Sequence, residues 1–221
     1  MKLTIVAATG GIGRLLLEQA VVAGHDVTAV VRTPSRLTRP VHAVAADLSV
    51  ASPDELEPAL VGADAVLSAL GPRSKADAGI ASRGTRALVT AMVRTGVRRI
   101  VAVSAAPVAT VASPGRPNPS RHDPGDGFFM RHVAIPMIVN LLRDVYVDLA
   151  LMEDILRDSG LDWTAVRPPR LTDKRLSTTY RTALNRNIRG GFFASRADVA
   201  DYMLRALNQP ESVGQTVGIA S

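Results

Sequence analysis

Residues 3–14 read LTIVAATGGIGR. A short apolar run, Leu3, Ile5 and Val6, breaks into the small residues Ala7, Ala8, Thr9, Gly10, Gly11 and Gly13, and an apolar helical pattern starts at once through Leu15, Leu16 and Leu17. That order is strand, glycine-rich turn, helix. A buried strand feeding a helix through glycines leaves backbone N–H groups free at the helix N-terminus, where a pyrophosphate can come close to the backbone. A dinucleotide site at this turn is the first inference. Glycines also mark ordinary turns, and the G-x-x-G-x-x-G spacing is met only at Gly10 and Gly13, with Ala7 in place of the first glycine, so the rest of the chain has to supply the context.

The 221 residues fit one domain, 1–221, long enough to bury a sizeable core. The chain is 47% apolar and 21% charged, and no apolar run nears the roughly 18 residues of a membrane span, so a soluble protein with no membrane partner is expected. A strand beginning at Leu3 leaves no room for a leader segment, and a cytoplasmic address is the expectation. Having no cysteine, the chain has no disulfide, thiolate metal site or cysteine nucleophile. Its four histidines, His25, His42, His122 and His132, lack metal-ligand spacing. The net charge of +6 is carried by scattered arginines, lysine occurring only at Lys2, Lys75 and Lys174, and aromatics make up only 4%. Such scatter argues against nucleic acid and suits a phosphate-bearing ligand.

Taken in order, the chain alternates strands and helices. The first helix is predicted over 12–23, closing at Gly24, and the second strand over 25–31, ending at Arg32. In a βαβ dinucleotide fold this strand end meets the adenosine ribose, where a carboxylate binds the 2′-hydroxyl of NAD and an arginine receives the 2′-phosphate of NADP. Arg32 stands there, with Arg36 four residues on, which favours NADP(H) over NAD(H); a solvated arginine is the alternative. A third strand over 41–46 leads into Asp47 and Leu48, a short helix over 54–60 follows Ser52 and Pro53, and a fourth strand over 65–70 stops at Gly71 and Pro72. A helix over 81–95 and a strand over 99–104 follow. Near-continuous apolar strands alternating with helices imply a Rossmann-like α/β fold, a doubly wound parallel sheet with helices on both faces. The strand ends at 7–9, 69–71 and 104–106 then line one crevice.

From 107 to about 124 the chain becomes rich in Pro, Ser, Gly and Arg, and the stretch up to about 132 reads as a mobile loop on the substrate side. One long helix is predicted over 135–159 from Leu142, Val145, Leu149, Met152 and Leu156, closed by Gly160. The sixth strand, 162–166, runs into the rigid turn Arg167-Pro168-Pro169-Arg170. Residues 171–193 are read as a small substrate-side cap containing strand. Ser195 then caps a helix reaching about Leu207, with Asp198 in a capping-box position, and 215–220 is a last strand.

Seven segments together resemble the atypical short-chain dehydrogenases/reductases with a single NAD(P)-binding domain, in particular the biliverdin reductase B / flavin reductase group and the NmrA-like NAD(P)H-binding proteins. They are AATGGIG at 7–13, VVRTPSRL at 30–37, AADL at 45–48, SALGPR at 68–73, VAVSA at 101–105, DILRDSGLDWTAVRPPRL at 154–171 and SRADVADYML at 195–204. The resemblance implies that Thr9, Gly10, Gly11, Ile12 and Gly13 cradle the pyrophosphate, that Arg32 and Arg36 hold the 2′-phosphate, and that Asp47 and Leu48 sit at the adenine. It further implies Leu70, Gly71 and Arg73 near the ribose and phosphates, and Ser104 and Pro168 at the nicotinamide. It also implies a small-molecule substrate and a monomer or weak homodimer.

One departure bears on the chemistry. Short-chain dehydrogenases generally use a Ser, a Tyr acid and a Lys four residues after it, because a phenol with a pKa of about 10 needs a nearby cation to give up its proton at neutral pH. Here Tyr146 is followed at that spacing by Ala150. Tyr146 is thus a weak catalytic candidate and reads more readily as a packed residue. The biliverdin/flavin reductase group works without the pair, taking hydride from NADPH and a proton from solvent or substrate. The resemblance then implies a reductase of flavins, quinones, tetrapyrroles or activated carbonyls, with Ser104 the main catalytic candidate, a serine bonding its own backbone being the alternative. Arg170 reads either as a contact for an anionic substrate group or as a surface charge. A non-catalytic NADP(H)-binding regulator and a biosynthetic isomerase or cyclase on the same fold are the other readings.

Overall fold

The computed structural model describes residues 1–72, 77–128, 130–177 and 179–221. Strand β1 (Lys2–Val6) feeds α1 (Gly11–Val22), followed by β2 (Asp26–Val31), β3 (His42–Ala45), α2 (Pro53–Leu56), β4 (Ala65–Ser68), α3 (Ile80–Thr95) and β5 (Arg99–Val103). Then come α4 (Ile135–Leu141), α5 (Arg143–Asp158), β6 (Asp162–Arg167), β7 (Arg170–Thr172), β8 (Arg181–Leu184), β9 (Phe193–Ser195), α6 (Arg196–Arg205) and β10 (Gln215–Ala220). Among the described residues the main sheet has eight strands in the order β3-β2-β1-β4-β5-β6-β10-β8. Every pairing is parallel except β10 with β8. The order reverses direction between β1 and β4, so the carboxyl ends of those two strands open a crevice at the switch point.

The apolar runs of the central strands follow from burial on both faces. On β1, Leu3 and Ile5 point into the core beneath α1 and α6, while Val6 points into the core beneath α3 and α5. β5 divides the same way, Val101 to the first core and Ile100 and Ala102 to the second. Helices α1 and α6 pack together on one face and α3 and α5 on the other. The result is three layers. Among the described residues no helix is long and apolar enough to cross a membrane.

Three expectations from sequence need correction. The helix over 135–159 is two helices, broken at Leu142, whose φ of −120° and ψ of 36° are not helical. The periodic stripe that suggested one helix begins only at Leu142; before it Met137, Ile138 and Leu141 are exposed, so no packed face holds one axis across both halves. Residues 171–193 do not stay together as a cap. β7 pairs with β9, but β8 joins the main sheet as its antiparallel edge, with Thr182 opposite Ile219. Ser195 does cap α6, its Oγ accepting the Asp198 N–H at 2.9 Å. The Asp198 carboxylate does not complete the box: it turns to the backbone N–H of Ser177 at 2.8 Å and to the hydroxyl of Ser221.

The stretch read as a mobile loop carries several anchors. Buried Asp123 accepts the N–H groups of Gly125 and Asn187, both at 2.8 Å, and Asp154 of α5 accepts the Gly115 N–H at 2.9 Å.

Candidate functional site

The site begins at the turn after β1. The Ala7 N–H donates to the Val30 carbonyl at 3.0 Å, and the Ala7 carbonyl accepts the Gly10 N–H at 2.9 Å, closing the turn. This needs Ala7 in the left-handed region, at φ +59°, where a Cβ costs roughly 1–2 kcal/mol. Gly13 packs on the same carbonyl: a Cβ there would stand 2.2 Å from the Ala7 oxygen, so no other residue fits. Gly10 is the N-cap of α1 and offers no side-chain cap, and the first turn of α1 holds no acidic residue. The N-terminal donors of a twelve-residue helix therefore face the crevice with no side-chain cap and no carboxylate from their own first turn. That arrangement suits an anion.

On one side of the turn the crevice is lined by Ala7, Thr9, Arg32, Asp47, Leu48, Leu70 and Gly71. Arg32 is exposed at the end of β2, and Arg36 stands exposed on the adjoining 3₁₀ turn. Asp47 is oriented by Ser49, whose N–H and hydroxyl donate to Oδ1 at 3.0 and 2.8 Å. These bonds, the backbone one foremost, hold its carboxyl below the ordinary carboxylate range, and the Arg32 charge adds to the effect. Leu48 and Leu70 are buried beneath it. Arg73 lies outside the described residues.

On the other side lie Gly10, Gly11, Ile12, Ser104, Tyr146, Leu149, Leu171 and Arg196. Ser104 follows β5 and is buried, its N–H donating to the Val166 carbonyl at 2.7 Å. Its hydroxyl donates to Glu153 Oε1 at 2.6 Å. Glu153 in turn takes a forked pair of bonds from Arg167, Nε to Oε1 at 2.8 Å and Nη2 to Oε2. All three side chains are buried: Ser104 4%, Glu153 1% and Arg167 5% exposed. A buried ion pair of this kind is a weak source of net stability, but with both partners present it fixes geometry. Because the Ser104 proton is committed to the carboxylate, the lone pairs of Oγ remain for a donor arriving from the cleft, such as a carboxamide N–H.

Neither Glu153 nor Arg167 was singled out from the sequence. A signal existed: Glu153 stands four residues after Leu149, placing a carboxylate on the apolar face of α5, and a charge there needs a partner.

Tyr146 lines the same cleft beside Ser104, and burial pushes its hydroxyl above the ordinary phenol range. Pro168 is buried behind the site, its carbonyl accepting the Ala106 N–H at 2.9 Å and so tying the β6 turn to the end of β5. Arg170 is exposed on β7, its guanidinium carbon 5.9 Å from the centre of the Phe193 ring. The structure thus brings together Thr9, Gly10, Gly11, Ile12, Arg32, Asp47, Leu48, Leu70, Gly71, Ser104 and Tyr146 along one crevice, with Gly13 shaping the turn; Arg36, Pro168 and Arg170 stand outside its lining. A glycine turn, an uncapped helix end and an arginine at the next strand end together fit a dinucleotide.

Solved structures share this architecture at low identity. A candidate NADH-flavin reductase from Streptococcus pneumoniae is 23% identical, with TM-score 0.74 over 100% of this chain and 99% of that one. An anaerobilin reductase from Escherichia coli is 20% identical, with TM-score 0.76 over 100% and 97%. A short-chain dehydrogenase/reductase from Veillonella parvula in complex with NADP is 18% identical, with TM-score 0.76 over 100% and 94%. The family model for NAD(P)H-binding proteins matches residues 7–210, from the glycine turn to beyond α6, and this chain belongs to that NAD(P)H-binding family.

Proposed function

We propose that the protein is an NADPH-dependent reductase of the atypical short-chain type, passing hydride to a small conjugated acceptor: a flavin, quinone, tetrapyrrole or activated carbonyl. The observation that carries the reading is the buried Ser104–Glu153–Arg167 chain beside the dinucleotide crevice. NADPH supplies the hydride. Arg32, helped by Arg36, holds the 2′-phosphate; Asp47 and Leu48 meet the adenine; the turn from Thr9 to Gly13, with Leu70 and Gly71, meets the ribose and phosphates. Ser104, with its proton given to Glu153, would accept an N–H of the nicotinamide carboxamide and so help orient the bound ring. Tyr146 and Leu149 form an apolar wall suited to a planar acceptor. Tyr146, made less acidic by burial, serves as wall, and the proton comes from water, which suffices when the reduced acceptor is a delocalised anion. Arg170 faces an anionic group of the acceptor. The enzyme acts in the cytoplasm as a monomer or weak homodimer.

Ala150 in place of a lysine supports a second reading, a non-catalytic NADP(H)-binding regulator. Two measurements separate the readings. With NADPH and a panel of FMN, a benzoquinone and biliverdin, turnover above background is expected for at least one acceptor. Tight binding with no turnover on any acceptor favours the regulator. In titration calorimetry Arg32→Asp is expected to weaken NADPH by roughly 10- to 100-fold and NADH far less, since a charge-assisted phosphate contact contributes about 1.5–3 kcal/mol. Unchanged NADPH affinity overturns the 2′-phosphate assignment.

A further inference from the structure

Arg196 opens α6, and its side chain lies across the glycine turn. A Cβ added to Gly11 would stand 2.9 Å from Arg196 Nε and 3.0 Å from Cδ, so the side chain rests directly on the glycine turn and a larger residue at 11 would require it to shift. Gly11 is not in the left-handed region and needs no glycine for its backbone. The guanidinium reaches the cleft that holds Gly10, Gly11 and Ser104, and its Nη1 donates to Asp173 Oδ1 at 2.7 Å.

The placement is electrostatically unfavourable at α1. The Arg196 cation sits beside the positive, uncapped N-terminus of α1, whereas the N-terminus of its own helix is capped by Ser195 and carries Asp198 in its first turn. The carboxylate that meets the guanidinium directly, Asp173, is 88% exposed, and an exposed pair contributes only about 0–1 kcal/mol. Asp173 is thus a weak partner for a cation held beside the uncapped end of α1. A diphosphate on the α1 N-terminus would be a far stronger one, because it offers charged oxygens in the geometry a guanidinium fork binds.

We propose that Arg196 is the clamp on the diphosphate of the bound NAD(P)H, and that Asp173 is the partner it gives up on binding. The inference rests on the dinucleotide reading of the crevice. It also links the cofactor to the segment after β7: Asp173 follows β7, whose Leu171 lines the cleft, and precedes Ser177, which is fixed to Asp198. Exchange of the Arg196 partner releases the middle of that short segment while both ends stay held.

The test is calorimetric titration of the full chain with NADPH and with adenosine 2′-monophosphate, which carries no diphosphate. Arg196→Met is expected to weaken NADPH roughly 10- to 100-fold and leave adenosine 2′-monophosphate unchanged, whereas Arg32→Asp weakens both. Asp173→Asn, at an exposed position where folding is not at risk, is expected to tighten NADPH several-fold by freeing the arginine. Arg196→Met binding NADPH as tightly as the parent, or Asp173→Asn weakening it, overturns the clamp. If the parent chain binds adenosine 2′-monophosphate and NADPH with equal affinity, the diphosphate contributes nothing and the clamp falls while the adenosine site stands; if it binds neither, the reading of the crevice falls as well.

Discussion

Ala7 spends its left-handed backbone on the bond that closes the glycine turn, and the two opposing magnitudes decide what a glycine there would do. Removing the Cβ recovers roughly 1–2 kcal/mol of strain, while glycine gives back about 0.5–1 kcal/mol through the freer unfolded chain. Ala7→Gly is therefore expected to raise stability by about 0.5–1 kcal/mol, read as a higher urea midpoint at unchanged slope; a lower midpoint would show that the Ala7 methyl contributes more in packing than it costs in backbone. The sequence made the missing first glycine visible but not the sign of its effect, since the φ of residue 7 is set by the Val30 and Gly10 bonds. Ser104 was legible in the same partial way. Its position at a strand end follows from the apolar run before it, whereas its partners Glu153 and Arg167 come from α5 and β6 and meet it only through tertiary packing.

At the scale of elements, α3 depends on α5 for its N-terminus. Its N-cap, Gly79 at φ +90°, offers no side chain, and buried Asp148 of α5 supplies the missing acceptors: Oδ2 takes the Ala81 N–H at 3.0 Å and Oδ1 the Ser82 N–H at 2.9 Å. A cap borrowed from the neighbouring helix fixes the two against each other and so helps hold the wall formed by Tyr146 and Leu149. Loss of an ordinary cap costs about 0.5–2 kcal/mol, and one buried and one part-buried donor left unpaired put Asp148→Ala at the upper end, near 2 kcal/mol. Asp148→Asn keeps one acceptor and turns an NH₂ group on the other donor, so it is expected to recover at most half; denaturant unfolding of both variants measures the ratio. Apolar patterning placed α1 and α5 from sequence because each has one stripe facing the sheet, and the Ser195 cap placed α6. The patterning failed at Leu142, since apolar residues continue through Met137 and Leu141 on a face that nothing covers in the described structure.

For the whole molecule, the parallel sheet through β6 was legible because one strand–helix pattern repeats along the chain, whereas the order β3-β2-β1-β4-β5-β6, which puts the turn at Gly10 beside the end of β4, comes from the structure. The far edge was not legible: β8 is short and half exposed, and its place beside β10 comes from antiparallel pairing across some thirty residues. β10 and α6 meet on the face whose core includes Tyr202, 4% exposed, and this buried phenol gives the fold a pH limit. Burial, with the Glu211 charge beside it, raises the Tyr202 hydroxyl from 10.0 to about 12 against the lesser pull of Arg99. The folded pKa exceeds the unfolded one, so below about 10 both states hold the proton and the contribution is complete; above it the unfolded chain releases a proton that the folded chain retains, and stability falls until about 12. Two units correspond to roughly 2–3 kcal/mol as an upper bound. Burial together with the bond to Asp201 raises Tyr180 as well, so the decline is shared. Tyr202→Phe is expected to change stability little near neutrality and to flatten the loss between about pH 10 and about pH 12, as measured by urea unfolding at about pH 9 and about pH 11. An equally steep loss in the phenylalanine variant would assign the alkaline limit to Tyr180 instead.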